Sequence, residues 1–258
     1  FFSGRQYNVI FGDQNELRSF SDIWEGGMPG YLIWLNARLY EMKRLLKKTG
    51  SIYVHCDWHA SHYIKVEMDK IFGHKNFVNE VIWSYRTGGA TKDRWARKHD
   101  VLLFYAKSTS WTFHPDKEKS FQSHKYGYKN VPYFIDEETG LQYRFAIPRD
   151  VIELTMGTGT SERIGYPTQK PEGLLEKIVT ASCNEGDVVA DFFTGGGTTA
   201  AVAQRLGCRW MACDQSRVAV ALTADRLTRQ VEEQTGKMFP VPDFTVEHWG
   251  VYEARRLS

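Results

Sequence analysis

The sequence predicts an α/β fold: an open, mainly parallel sheet with helices on both faces. Three observations carry this. Apolar runs and stretches with helical spacing alternate before residue 108 and again after residue 165. A glycine turn, Asp191-Phe192-Phe193-Thr194-Gly195-Gly196-Gly197-Thr198-Thr199, lies between the apolar run Val188–Ala190 and the helix-like run Ala200–Leu206. That strand–turn–helix order is the layout of a nucleotide-type cofactor site. Between Ser108 and Gly165 the rhythm stops, and aromatics, Lys, Gly and Pro follow one another without a steady period. A stretch that long is seldom a bare loop in a compact domain, so it reads as an inserted subdomain or a specialised surface.

Each element has its own warrant. Tyr31 to Lys48 is a helix, with Leu32, Leu35, Leu39, Met42, Leu45 and Leu46 at helical spacing and basic residues at its end. Gly50 stops it. Ser51–Cys56 is a buried strand, and Ala60 to Phe72 a second helix with Ile64, Met68 and Ile71 on one face. Phe77–Tyr85 and Asp100–Ala106 are two further strands joined by a basic loop. After the irregular stretch, Pro171–Ser182 is a helix with proline in its first turn. Asp187–Phe192 is a strand, Thr198–Leu206 a helix, Arg209–Cys213 a strand ending at Asp214, Arg217–Glu233 a helix and Phe244–Trp249 a last strand.

Composition narrows the function classes. With 258 residues, 42% hydrophobic and 25% charged, the chain is an ordinary globular protein of one large domain, or one domain with an insert. No apolar run approaches the ~20 residues of a membrane helix, and the opening Phe1-Phe2-Ser3-Gly4-Arg5 has no signal-peptide pattern. The chain lacks an initiator Met, so upstream residues are expected to be missing. The net charge of +2 decides nothing, but its distribution does. Ser84 to Asn130 holds ten Lys and Arg against four acids, an excess larger than that of the whole chain. Such a segment, rich in aromatics, suits a phosphate backbone; a solvated basic face is the plainer alternative. Cys56, Cys183, Cys208 and Cys213 form no Cys-x-x-Cys pair and no His cluster completes a zinc site, so they read as reduced thiols of a cytosolic protein, with no metal.

The glycine turn admits two cofactor classes. Gly195-Gly196-Gly197-Thr198-Thr199-Ala200 fits the loose dinucleotide pattern, and Asp214 is near the distance of a ribose-binding acid. NAD or FAD, and so an oxidoreductase, is therefore open. No Lys follows the last glycine, which excludes a P-loop. Asp191 argues against a pyrophosphate, because its carboxylate adds repulsion beside the turn. S-adenosylmethionine carries an ammonium and a sulfonium and no phosphate, and a carboxylate attracts both. The competing reading makes Asp191 a simple cap of the turn.

These residues resemble the DNA amino-methyltransferases, which methylate N6 of adenine or N4 of cytosine. Asp191–Thr199 resembles their Asp-Pro-Phe-x-Gly-x-Gly-Thr-Thr motif. Tyr166-Pro167-Thr168-Gln169-Lys170-Pro171 resembles their Pro-Thr-Gln-Lys-Pro segment, and Ser51–Asp57 with Ala60–Tyr63, and Lys98–Tyr105, are also similar to family stretches. The resemblance covers nearly the whole chain. It implies an S-adenosylmethionine-dependent methyltransferase fold. The late position of the glycine motif implies the circularly permuted β class, with residues 1–107 as the catalytic half, 108–165 as a target-recognition insert and 166–258 as the cofactor half. The sequence departs from the family in three places. No Asp-Pro-Pro-Tyr/Phe occurs, Phe192 replaces the usual proline, and Gly196 replaces a usual Ser or Cys. Phe1 is expected to be the aromatic of the catalytic motif, its Asp-Pro-Pro and the central strand carrying it having been lost.

The resemblance implies roles. Phe1 would stack on a target base drawn out of the duplex. Asp191, Phe193, Thr194, Gly195, Gly197 and Asp214 would hold S-adenosylmethionine at the turn and ribose, and Thr168 and Lys170 would reach its methionine carboxylate. Arg86, Lys92, Arg94, Arg97, Lys98 and His99, with the insert, are the candidate DNA surface. Double-stranded DNA is the expected partner; a homodimer and a restriction endonuclease partner are left open, as is a catalytically dead DNA-binding fragment. Adenine is preferred to cytosine.

Overall fold

The computed structural model describes residues 6–7, 20–21, 26–86, 91–121, 132–155, 162–235 and 244–247. Phe1, the expected stacking aromatic, lies outside them. Two short strands, β1 (Gln6–Tyr7) and β2 (Phe20–Ser21), pair antiparallel. Helix α1 spans Gly27–Leu45. It begins a turn before the leucine pattern because Met28 extends the apolar face. It ends at Leu45 because Leu46 leaves the helix (ψ 138°) to pack into the same core. Gly50 closes a turn on Lys47 instead of ending the helix.

Strand β3 (Ser51–Cys56) and helix α2 (Ser61–Phe72) follow. Helix α2 buries Ile64, Met68, Ile71 and Phe72, one stripe of a 3.6-residue period. Gly73, at φ 91°, ends it with its N–H on the Asp69 carbonyl. Strands β4 (Phe77–Ser84) and β5 (His99–Ala106) come next. The irregular stretch contains β6 (Glu118–Phe121), β7 (Phe134–Ile135), β8 (Gln142–Ala146) and β9 (Val151–Glu153). Helix α3 (Glu172–Ser182) has Pro171 as its N-cap, just outside the first turn. Then come β10 (Val188–Asp191), α4 (Thr198–Arg205), β11 (Arg209–Ala212) and α5 (Arg217–Thr235). Residues 244–247 carry no strand, contrary to expectation; Phe244 packs its ring 5.7 Å from Trp210 instead. No helix among the described residues is long and apolar enough to cross a membrane.

The α/β class holds, but the sheet is mixed rather than mainly parallel. The larger sheet has the order β3-β5-β4-β9, with β5 antiparallel to both β3 and β4 and β9 parallel to β4. The reason lies in the basic loop. It joins β4 to β5 with no crossover helix among its described residues, and the two strands pair antiparallel. Strands β10 and β11 pair parallel through α4, as a β–α–β unit must. Strands β6, β8 and β7 form a separate antiparallel sheet, whereas β9, from the same stretch, joins the larger one.

Side chains of a strand alternate between faces, and the larger sheet uses both. One face sends Val54, Cys56, Val101, Leu103 and Tyr105 against α1 and α2, where Leu39, Ile64 and Met68 are fully buried. Truncating one of these to Ala costs about 2–5 kcal/mol. The other face sends Tyr53, Val81, Trp83 and Leu102 against Leu174, Leu175 and Ile178 of α3. His55 and Asp100, in the same alternation, turn this second face polar towards the C-terminal end of β3. There it meets the glycine turn.

Candidate functional site

Strand β10 delivers Asp191 to the start of the turn. Its carboxylate accepts the Phe193 N–H at 3.0 Å and the Thr199 hydroxyl at 2.6 Å. Burial raises its carboxyl above the usual range, those two bonds oppose the rise, Asp214 adds to it and Lys170 opposes it. Asp214, just after β11, accepts the Gly195 N–H at 2.9 Å on one oxygen and the Ser216 N–H at 2.9 Å on the other. Gly195 and Gly197 both have positive φ, 51° and 70°. The turn is gripped from behind by α5. Thr223 donates to the Gly195 carbonyl at 3.3 Å, and the buried Arg226 donates to the Gly196 carbonyl at 3.0 Å. Arg226 also pairs with Glu172 of α3, which Arg205 of α4 binds from its other side. The sequence reading missed Thr223 and Arg226. Their spacing of three puts them on one helix face, but nothing local distinguishes a buried arginine from a surface one.

The Pro-Thr-Gln-Lys-Pro segment lies against this turn. Gln169 fastens its own loop, accepting the Ile164 N–H at 3.0 Å and donating to the Glu162 carbonyl at 2.6 Å. The buried Tyr166 ring abuts Gly195, and Thr198 donates to the Lys170 carbonyl at 3.3 Å. Lys170 donates to the Thr168 carbonyl at 2.9 Å. Burial brings its ammonium down to about 8, against the upward pull of Asp100, Asp191 and Asp57. Thr194 is buried, and its hydroxyl oxygen has no hydrogen-bond partner among the described residues. Phe193 is half exposed and its ring lies 5.6 Å from Trp34 of α1, a neighbour that sequence spacing could not reveal. Every candidate cofactor residue of the sequence reading is therefore part of one connected group.

Across Lys170 stands a second group, of which His55 and Asp100 belong to the family-like stretches, and Trp83 and Tyr85 to the strand expected from Phe77 to Tyr85. Asp100 contacts His55 Nε2 at 3.0 Å and accepts the Tyr85 hydroxyl at 3.2 Å. Trp83 packs between the His55 and Tyr85 rings, 5.9 Å and 5.1 Å away. Burial alone would raise the Asp100 carboxyl, but His55, Lys170 and Tyr85 hold it below its ordinary value. Burial drives the His55 imidazole down to about 4; Lys170 adds to this and Asp100 opposes it. His55 is thus neutral at pH 7 and donates from Nε2. A base held below its unfolded pKa costs stability as acid protonates the unfolded chain first. Relative to His55→Gln, which keeps a donor for Asp100, the parent loses about 2 kcal/mol between pH 7 and about pH 5. Urea titrations of both proteins across that range check this.

The basic candidates occupy the rim at the same end of the sheet. Arg86 pairs with Glu153 at 2.5 Å and Arg94 with Asp93 at 3.2 Å. Arg97 stacks on Trp58, and Lys92, Arg94, Arg97 and His99 are exposed. The Lys98 carbonyl accepts the Tyr85 N–H, so Lys98 is the residue that closes the loop. Trp95 is 95% exposed, which excludes the packing role that most tryptophans have.

A family model described as DNA methylase, of the N6/N4 type, matches residues 7–225. The chain belongs to this family. The matched span takes in the glycine turn, the Pro-Thr-Gln-Lys-Pro segment, the basic loop and the irregular stretch of the methylase. The chain is 30% identical over 199 residues to the type II methyltransferase M.HpaI of Haemophilus parainfluenzae, covering 76% of this chain and 59% of that protein. It is 27% identical over 255 residues to the DNA adenine methyltransferase YhdJ of Escherichia coli strain K12, covering 90% and 83% respectively. A Thermus thermophilus protein solved with S-adenosyl-L-methionine has the same fold. Its TM-score is 0.55 at 20% identity, over 81% of this chain and 83% of that one.

Proposed function

We propose that this methylase transfers a methyl group from S-adenosylmethionine to an exocyclic amino nitrogen of DNA, N6 of adenine in preference to N4 of cytosine. The charge of the glycine turn carries the reading. Two carboxylates, Asp191 and Asp214, flank it, and the Gly195 amide that a pyrophosphate would use already donates to Asp214. Such a turn repels a dinucleotide and attracts a cation. The unpartnered hydroxyl of buried Thr194 is a further group that a polar ligand would satisfy. The E. coli relative is named for adenine, which supports N6.

When bound, S-adenosylmethionine supplies an electrophilic methyl on a sulfonium. Asp191 would face the cationic end, Asp214 would offer acceptor positions to ribose hydroxyls, and Phe193 would form the wall beside Trp34. Gly195 and Gly197 would allow close approach of the backbone, with Thr194 beside them. Thr168 and Lys170 would take the methionine carboxylate. An exocyclic amine is a poor nucleophile because its lone pair is delocalised into the ring, so catalysis depends on holding it in line with the methyl. The base must first leave the stack, and Arg86, Lys92, Arg94, Arg97, Lys98 and His99 bind the DNA around it.

Isothermal titration tests the reading: S-adenosylmethionine binds and NAD does not. Asp191→Asn removes the charge while its amide oxygen still accepts the Phe193 N–H and its amide nitrogen donates to the Thr199 hydroxyl oxygen, reversing that bond; it raises the Kd for S-adenosylmethionine about 10- to 100-fold, the worth of a charge-assisted contact. Binding of NAD with silence towards S-adenosylmethionine would overturn the function.

A further inference from the structure

The arginines of the basic loop are not equivalent. Arg86 and Arg94 are paired at the surface with Glu153 and Asp93. Arg97 has no ion pair among the described residues. Its guanidinium carbon lies 3.5 Å from the centre of the Trp58 indole, which is the contact that holds it. Trp58, 47% exposed, sits in the connection between β3 and α2 and carries the His59 ring at 3.6 Å. Asp57 fixes His59 in turn, accepting its backbone N–H at 3.0 Å and contacting Nδ1 at 2.8 Å. Asp57 is also one of the carboxylates that act on Lys170. A continuous series of contacts, Asp57–His59–Trp58–Arg97, therefore ties the basic rim to the connection between β3 and α2.

Stacking engages the flat face of a guanidinium and leaves its N–H groups in the plane, directed outward. That fork matches two oxygens of a phosphate. A side chain already ordered on an aromatic face loses less entropy on binding than a free lysine or arginine does. We propose that Arg97, held on Trp58, is the site for one backbone phosphate of the DNA, set at a fixed place relative to the methyl-transfer site by the Asp57–His59 anchor. The proposal rests on the methyl-transfer reading and names a contact within it. It makes Trp58 and His59 positioning residues that the sequence reading did not assign.

The test is fluorescence anisotropy of a labelled DNA duplex over a range of salt concentrations, with the Kd for S-adenosylmethionine measured in parallel. Arg97→Ala weakens DNA binding about tenfold and lowers the slope of log Kd against log salt by about 0.9, the signature of one lost phosphate contact. Trp58→Ala keeps the charge, so the slope stays near the parent's while affinity falls about threefold or more; Trp58→Phe restores it. The Kd for S-adenosylmethionine stays at the parent value in all three, which also reports that they are folded. An Arg97→Ala protein with the parent's DNA affinity and slope overturns the proposal. So does a loss of S-adenosylmethionine affinity in step with that for DNA, which would assign Arg97 to the cofactor or the scaffold. A parent that binds S-adenosylmethionine but no duplex would remove the DNA interface as a whole, and one that binds neither would remove the methyl-transfer reading itself.

Discussion

Gly197→Ala abolishes cofactor binding and lowers stability by about 3 kcal/mol. Two costs add at this position. Its φ of 70° is left-handed, which strains any residue with a Cβ by about 1–2 kcal/mol. A Cβ built there would also lie 2.7 Å from Thr223 Oγ1, 2.8 Å from its Cγ2 and 3.0 Å from its Cβ. A β-branched side chain has no rotamer that clears all three atoms, so α5 or the turn must move, at about 1–3 kcal/mol. Either movement displaces the Gly195 and Gly196 carbonyls from Thr223 and Arg226 and so disturbs the surface offered to the cofactor. Denaturant unfolding and isothermal titration read the two effects. Gly140→Ala is the control for backbone strain alone, because it shares a positive φ of 68° with nothing within 4 Å; it costs about 1 kcal/mol and leaves cofactor binding intact. Adding Thr223→Ala to Gly197→Ala removes the two nearer atoms, Oγ1 and Cγ2, but leaves the Cβ at 3.0 Å and the strain, and recovers part of the stability.

Lys170→Met separates stability from function. The ammonium of Lys170 is held at about 8, below its ordinary value, chiefly by burial. The unfolded chain therefore binds the extra proton between the folded and unfolded pKa, and stability rises with pH through that window. Relative to Lys170→Met, the parent gains about 2 kcal/mol between about pH 8 and about pH 10. The comparison must be a difference, since burial raises the phenols of Tyr53, Tyr105 and Tyr166, and these destabilise both proteins once the pH passes their unfolded value. At pH 7 the charged lysine costs stability, yet its replacement raises the Kd for S-adenosylmethionine about 10- to 100-fold if it meets the methionine carboxylate. A parallel pH dependence in parent and variant would show that the lysine is not desolvated. An unchanged Kd would remove it from the cofactor site. A partly buried cation that is costly for the fold and needed for the ligand is the pattern expected of a functional group.

The parts of the molecule legible in the sequence are those with local causes. Ser51–Cys56 matches its strand at both ends because an apolar run bounded by Gly50 and Asp57 has one way to be buried. The helix at Ser61–Phe72 agrees within one residue because Ile64, Met68 and Ile71 repeat at helical spacing and Gly73 ends it. The glycine turn and the Pro-Thr-Gln-Lys-Pro segment are distinguished by residue type alone. The mixed sheet was not legible: strand direction depends on which strands become neighbours, and β5 enters between β3 and β4 only in three dimensions. Of the expected last strand, the described residues 244–247 carry none, and Phe244 packs against Trp210 instead.

The sequence by itself determined the class of fold, the glycine turn proposed to receive the methyl donor and the chemical character of that turn. All three follow from residue types within a few positions of one another, where chain geometry sets the distances. Tertiary structure alone decided which distant side chains meet. It placed Arg226 behind Gly196, Trp34 beside Phe193, His55 against Asp100 and Arg97 on Trp58. Those encounters depend on the β3–β5 register and on how α5 packs over the turn, and a one-residue slip in a strand would reverse every side chain on it. The glycines are therefore identified by their neighbours along the chain, and the groups that hold them in position by the fold.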